Sequence, residues 1–190
     1  MEDKKTIRKL ISSQKKAMTP EEIMLQSELI CKRFMEQDFY LKADVIYMYA
    51  PYNQEILTWP ILEDAVIRGK KAAVPKCFDD VMDFFYIRSR DELFPGAYGI
   101  PEPQGDHEKL AADENVLMLM PGLAFDKDMG RIGYGGGFYD KYLDSHSNVS
   151  FFKAALAYDF QIVDEKLPTE EHDYRVDAIV TANYVYTDKK

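Results

Sequence analysis

Val116-Leu117-Met118-Leu119-Met120 is an unbroken run of five apolar residues, closed at once by Pro121-Gly122. A strand with one wet face alternates apolar and polar residues. A run without polar positions is instead a strand covered on both faces, as in a parallel sheet between helices. Val45-Ile46-Tyr47-Met48-Tyr49 reads the same way. Ala72 to Pro75, Met82 to Ile87, Ala154 to Tyr158 and Ala178 to Thr181 supply further strands. Between them lie helical patterns. Residues 2 to 17 place Ile7, Leu10 and Ile11 on one face. Thr19-Pro20-Glu21-Glu22 is a helix start with a capping box, and this helix runs to about Gln37 with Ile23, Leu29, Ile30 and Phe34 inward. Thr58 caps a third helix that ends at Gly69. Strands alternating with helices predict a single α/β domain over residues 1–190, with a mostly parallel sheet flanked by helices. The loops after Tyr49, Met120 and Tyr158 follow strand ends, where open α/β sheets hold their ligands. A helical turn at Asp91 to Leu93 precedes an irregular stretch, 94–114, of the length that marks a functional or mobile loop.

Composition excludes several classes. Hydrophobic residues make up 46% of the 190, so the chain can build a core. The net charge of −9 argues against a nucleic-acid surface, but a nucleotide needs only a few local cations: Lys4, Lys5, Arg8, Arg131 and Lys141 are the candidates. Cys31, in a helical pattern, and Cys77, just after a strand-like run, have no metal-type spacing and read as buried free thiols of a reducing cytoplasm. The charged start Glu2-Asp3-Lys4-Lys5 is not expected to be a secretion signal, and no apolar run has the length of a membrane span.

The chemistry concentrates in Arg131-Ile132-Gly133-Tyr134-Gly135-Gly136-Gly137-Phe138-Tyr139-Asp140, which holds four of the chain's ten glycines. Glycine lets backbone amides approach an anion, and a helix that starts near Phe138 (about 137 to 145) points its positive end at the same place. Arg131 adds a fork of charged donors. The stretch is neither a Walker A loop nor a Rossmann fingerprint. On these residues alone, a phosphate cradle and an ordinary tight turn both stay open.

Five motifs in order resemble 5-formyltetrahydrofolate cyclo-ligases, also called 5,10-methenyltetrahydrofolate synthetases. They are Lys4-x-x-x-Arg8; Gln54-Glu55-Ile56 with Thr58; Gly99-Ile100-Pro101-Glu102-Pro103; Met120 to Asp126 followed by Gly130 to Asp140; and Leu167-Pro168 through His172-Asp173, with Asp177 and Thr181. They span nearly the whole chain. The resemblance implies a three-layer α/β fold of the NagB/RpiA/CoA-transferase-like type. It implies conversion of 5-formyltetrahydrofolate to 5,10-methenyltetrahydrofolate with ATP and Mg2+, in a cytoplasmic protein expected to be a monomer, with no nucleic-acid or membrane partner.

Carried over residue by residue, the resemblance makes Arg131 and Lys4 the catalytic cations. It gives ATP to Lys4, Lys5, Arg8, Arg131, Gly133, Tyr134, Gly135, Gly136, Gly137, Phe138 and Tyr139. Some members carry lysine where Gly136 stands; here a backbone amide takes that place. Ala50, Glu55 and Tyr139 would hold the reduced folate, with Glu55 accepting from pterin N–H groups and Tyr139 stacking on a flat ring. Asp140 and Asp173 would hold magnesium, which takes one or two carboxylates and keeps several waters. His172 could stand behind them, and Glu102 could brace the loop of residues 99–103. Residue by residue, plainer readings stay open: Lys4, Arg8, Asp173 and Glu55 as solvated charges, Asp140 as a helix-start acid, and Tyr139 as a core aromatic. Besides the plainest reading, an α/β interaction domain whose glycines only make turns, two rival functions also stay open. One is a cyclo-ligase-like paralogue acting on a non-folate substrate, which Glu55 and its flanks would distinguish. The other is a nucleotide-binding module without catalysis, which should lack Asp140, Asp173 or Lys4.

Overall fold

The structure is a computed structural model that describes residues 3–96, 99–170 and 173–188. Three helices lead: α1 (Lys4–Lys16), α2 (Pro20–Met35) and α3 (Asp38–Leu41). Then come β1 (Val45–Tyr47), α4 (Trp59–Ile67), β2 (Lys71–Phe78) and β3 (Val81–Ile87). In the irregular stretch the described residues include the short pair β4 (Phe94–Pro95) and β5 (Pro101–Glu102) and a helical turn at His107–Lys109. Next are β6 (Asn115–Leu119), β7 (Ala124–Asp126), β8 (Arg131–Ile132), α5 (Phe138–Ser145) and β9 (Ser150–Leu156). The chain closes with β10 (Ile162–Val163), β11 (Ala178–Val180) and β12 (Val185–Thr187).

Seven strands form the main sheet in the order β12-β11-β9-β6-β1-β2-β3. The five central strands are parallel, and β3 and β12 pair antiparallel at the two edges. The unbroken apolar run of β6 has the expected cause, because alternate residues enter two cores. Leu117 and Leu119 join Ile46, Ile30, Phe34 and Ile61 on the α2–α4 face. Val116 and Met118 join Tyr47, Phe84, Tyr142 and Ile179 on the α5 face. The sheet is thus the middle of three layers. A third cluster packs Ile7 and Ile11 of α1 on a small sheet of order β10-β7-β8. That small sheet is absent from the sequence reading, since two- and three-residue strands carry no periodic signal.

Several local expectations change. The Thr19–Glu22 capping box forms. Thr58 does not cap α4 through its side chain; its Oγ1 donates to the carbonyl of Tyr49 at 2.9 Å and ties the end of β1 to the helix start. Leu10 and Leu29 are about half exposed. On α1, Ile7 and Ile11 face the small sheet and Arg8, Ser12 and Lys15 face a cavity, which leaves Leu10 to solvent. On α2, buried Ser27 accepts from the amide of Leu57 at 2.9 Å, so the inward face turns away from Leu29. Cys31 is buried, but Cys77 lies within β2 and is half-buried.

The site's position follows from strand order. β1 runs on through α4 to β2 on one side, while β6 lies on its other side. The loops leaving the carboxyl ends of β1 and β6 therefore diverge and open a crevice at the switch point.

Candidate active site

That crevice is a cavity of about 940 Å3. Its walls are the cavity face of α1, the Ala50–Glu55 loop after β1, the middle of β2, and the glycine loop with the start of α5.

The glycine loop is held from below. Asp126 at the end of β7 is buried, and its carboxylate accepts from the amides of Gly130 (2.7 Å), Asp128 (2.9 Å) and Leu167 (2.7 Å). A Cβ on Gly130 would sit 2.5 Å from that carboxylate, so only glycine fits the approach. Beyond β8, Gly135 and Gly137 take φ of 110° and 67°, a region L side chains avoid. Gly137 is the N-cap of α5 and makes no side-chain cap bond, which leaves the first-turn amides for an anion. Gly133, Gly135, Gly136 and Gly137 line the cavity together with Tyr134, Phe138, Tyr139 and Asp140.

Arg131 is buried, with its two terminal nitrogens on different partners. Its Nη2 donates to both oxygens of Asp140, at 2.6 and 2.8 Å, and its Nη1 donates to the carbonyl of Pro121 at 3.1 Å. Its Nε–H is buried and has no partner among the described residues. Asp140 also accepts from the amide of Tyr174 at 3.0 Å. Arg8 donates through Nε to the carbonyl of Gly133 at 2.9 Å. Lys4 reaches Asp173 at 2.6 Å and Glu170 at 2.8 Å. Burial alone lowers the Lys4 pKa, but the bonds to Asp173 and Glu170 outweigh it and the net shift is upward.

On the opposite wall, Glu55 accepts from the amide of Tyr52 at 2.9 Å. Burial pushes its carboxyl above the usual range, against the pull of the Tyr52 amide, Lys15 and Tyr134. Ala50 is buried and lines the same cavity. Tyr139 lines the cavity with a buried hydroxyl that has no partner among the described residues, and burial raises its pKa well above the ordinary tyrosine value.

The fold thus gathers Lys4, Arg8, Ala50, Glu55, Arg131, the glycines, Tyr134, Phe138, Tyr139, Asp140 and Asp173 around one cavity, along with Lys141. Lys5, adjacent to Lys4 on α1, is exposed and is not among the lining residues. One helical step turns it about 100° from its neighbour. Tyr158 does not line the cavity either. It braces the Glu55 loop by donating to the carbonyl of Gln54 at 3.2 Å. Glu102 lines the cavity, is buried and lies 3.5 Å from Lys76 in β2, so it does anchor its loop. His172 lies outside the described residues. The sequence reading passes over Lys15, buried on the cavity wall; its spacing from Lys4 and Arg8 (eleven and seven residues on, one helix face) is the signal that marks it.

Magnesium is a narrower matter. Among the described residues no group of three or more His, Cys, Asp or Glu could hold a metal. Asp140 and Asp173 each already bond a cationic side chain. This donor set does not suit a resident metal. It does suit an ion delivered on a nucleotide, which needs only one or two protein carboxylates.

Comparison with known proteins decides the family. The sequence profile of the "5-formyltetrahydrofolate cyclo-ligase family" matches residues 1–182. The chain belongs to that family. The mouse 5-formyltetrahydrofolate cyclo-ligase is 31% identical over 93% of this chain and 92% of its own length. The Escherichia coli protein of the same name is 28% identical over 93% of this chain and 99% of its own. The NMR structure of Aquifex aeolicus 5,10-methenyltetrahydrofolate synthetase superposes with a TM-score of 0.83 at 27% identity, covering 98% of this chain and 93% of that one. The family is one of enzymes, and its fold, a mostly parallel sheet flanked by helices, is the fold found here. Among the described residues no helix is long and apolar enough to cross a membrane.

Proposed function

We propose that the protein is an ATP- and magnesium-dependent 5-formyltetrahydrofolate cyclo-ligase, acting as a monomer whose 190 residues form one catalytic domain. The observation that carries this reading is the pairing of two unlike walls across one cavity. One wall has a glycine loop, a helix start and buried cations; the other has a carboxylate set among aromatics. The cavity volume of about 940 Å3 lies at the top of the single-ligand range, which suits two substrates side by side.

The chemistry explains the two walls. A formamide oxygen is a poor leaving group, so closure by N10 stalls. Transfer of the γ-phosphoryl of ATP to that oxygen releases ADP; N10 then attacks the formyl carbon, inorganic phosphate departs with the oxygen, and N10 gives up its proton. Such a reaction needs positioning and charge stabilisation more than covalent help. Arg8, Arg131 and the amides of Gly133 to Gly137 hold the phosphates, and Lys4 stands at the Asp173 end of the same row. The Nε–H of Arg131, unpartnered among the described residues, and the start of α5, which has no side-chain cap, are donors of the kind a phosphate uses. Asp140 and Asp173 would hold the magnesium that accompanies the nucleotide, whose chemistry is to neutralise phosphate charge. Glu55 accepts from the pterin N–H groups, Ala50 forms the wall beside it, and the orphan hydroxyl of Tyr139 offers a further donor to the folate.

The test is direct. Protein is mixed with 5-formyltetrahydrofolate, ATP and magnesium, and the near-UV absorbance of the methenyl product is followed. A rise that needs both ATP and magnesium bears the proposal out. No rise, with ATP still bound by calorimetry, points to a paralogue with a non-folate substrate.

A further inference from the structure

Lys15 has no part in the reading above, yet it is only 5% exposed and on the cavity wall. A lysine so placed gives up most of its hydration and needs a polar partner. Its ammonium donates to the hydroxyl of Tyr134 at 2.8 Å and lies 5.4 Å from the centre of that ring. The same side chain and the Glu55 carboxylate line one cavity, and the two act on each other electrostatically. A phenol can accept one hydrogen bond and donate another. Tyr134 can therefore take a proton contact from Lys15 and keep its own O–H for Glu55. Burial and the Glu55 charge hold the Tyr134 hydroxyl far above its ordinary pKa, so it stays a neutral donor.

Other described groups also act on Glu55. Tyr49 (after β1), Tyr139 (α5) and Tyr158 (after β9) face it electrostatically, and burial keeps each of them neutral. The Tyr52 amide supplies a backbone bond. Among the described residues acting on Glu55, Lys15 is the cation: each raises the stability of the other's charge, against burial that disfavours both. The chain Lys15–Tyr134–Glu55 crosses from α1 over the tip of the glycine loop to the loop after β1, joining the two walls of the cavity.

We propose that Lys15 is a positioning residue, which acts through the Tyr134 hydroxyl to hold the Glu55 carboxylate in place for the reduced pterin. This role rests on the folate reading of the Glu55 wall. Lys15→Met keeps length and removes charge; Tyr134→Phe removes one oxygen from a half-exposed side chain and serves if the first variant folds poorly. Affinity for 5-formyltetrahydrofolate should weaken about tenfold in each, the size of one charge-assisted hydrogen bond, and ATP affinity should stay unchanged in Lys15→Met, which lies outside the phosphate loop. Because the two residues act in series, the double variant should lose no more than the worse single one. Lys15→Arg should restore most of the loss.

A second readout needs no ligand. In protein labelled with 13C at the glutamate carboxyls, the Glu55 signal is identified by its absence in Glu55→Gln, and its titration midpoint should move up in Lys15→Met and in Tyr134→Phe. The sign follows from removing the groups that favour the charged carboxylate. A moved midpoint with no folate binding by the unaltered protein keeps the relay and sinks the folate reading. An unmoved midpoint overturns the relay, and so do additive losses in the double variant or equal losses for folate and ATP in Lys15→Met.

Discussion

Removing the Arg131 side chain tests the fold and the chemistry at once. Arg131→Ala deletes two charge-assisted bonds to Asp140 and one to the carbonyl of Pro121. The two side chains of the ion pair are only 5% and 17% exposed, so the pair lies close to the buried limit. Breaking a buried pair from one side typically costs 3–5 kcal/mol, because the remaining charge is stranded. Asp140 keeps the amide of Tyr174 and sits in the first turn of α5, where the helix dipole favours an acid, so the low end applies. We expect a loss of about 3 kcal/mol, read as a fall in melting temperature of roughly 6–12 °C for a chain of this size. Turnover should fall by about 10²-fold or more in kcat/KM, the usual consequence of losing one transition-state donor. Arg131→Lys separates the two effects: it keeps a charge but not the fork, so stability should recover more than activity. Urea unfolding, ATP calorimetry and methenyl formation give the three readouts. An unchanged unfolding midpoint would refute the structural half of this reasoning. Wild-type ATP affinity and turnover in a folded Arg131→Ala protein would falsify the phosphate role.

Other outcomes follow from the same geometry. Glu55→Gln should raise the KM for folate while leaving that for ATP alone, and it should also raise thermal stability at neutral pH. The sign comes from the raised carboxyl of Glu55: the folded state holds its proton to higher pH than the unfolded chain, so the charged form costs stability above that pKa. The stability gap between variant and parent should close as pH falls through the Glu55 titration, and a gap independent of pH would contradict this. Asp126→Asn places an amide against three N–H donors and should cost about 2–4 kcal/mol in urea unfolding, with a loss below about 1 kcal/mol showing that the glycine turn stands without it. Burial pushes the Cys31 thiol up to about 12, so Cys31 should resist alkylation until the protein unfolds. Cys77, half-buried on the cavity wall, should react slowly and be protected by bound substrate; labelling indifferent to substrate would place the ligand elsewhere.

The legible parts of this chain were those with local causes. The Thr19–Glu22 capping box, the left-handed Gly69, the helix start at Phe138 and the two-faced burial of β1 and β6 each depend on residues within one turn or one strand. The small sheet under α1 was not legible, because β8 and β10 have two residues each and exist only through pairing with β7. The inward turn of Ser27 was equally hidden, since its partner, Leu57, lies thirty residues away. At the site, residue types announced the glycine loop and its cations. That one nitrogen of Arg131 reaches both oxygens of Asp140 depends on how α5 sits against β8, and that Lys5 faces outward and Lys15 enters the cavity depends on where α1 lies against the loop.

By itself the sequence determined the α/β class, the order of the main elements, the glycine loop and the family resemblance, since periodicity, caps and motif order are written along the chain. Tertiary structure decided which charges meet. Lys4 and Asp173 are 169 residues apart, and Lys15 and Tyr134 are 119 apart. Such pairs form only when the diverging loops of β1 and β6 and the docking of α1 bring them within a few ångströms. At that range, with little water between them, Coulomb and hydrogen-bond energies become large enough to set function.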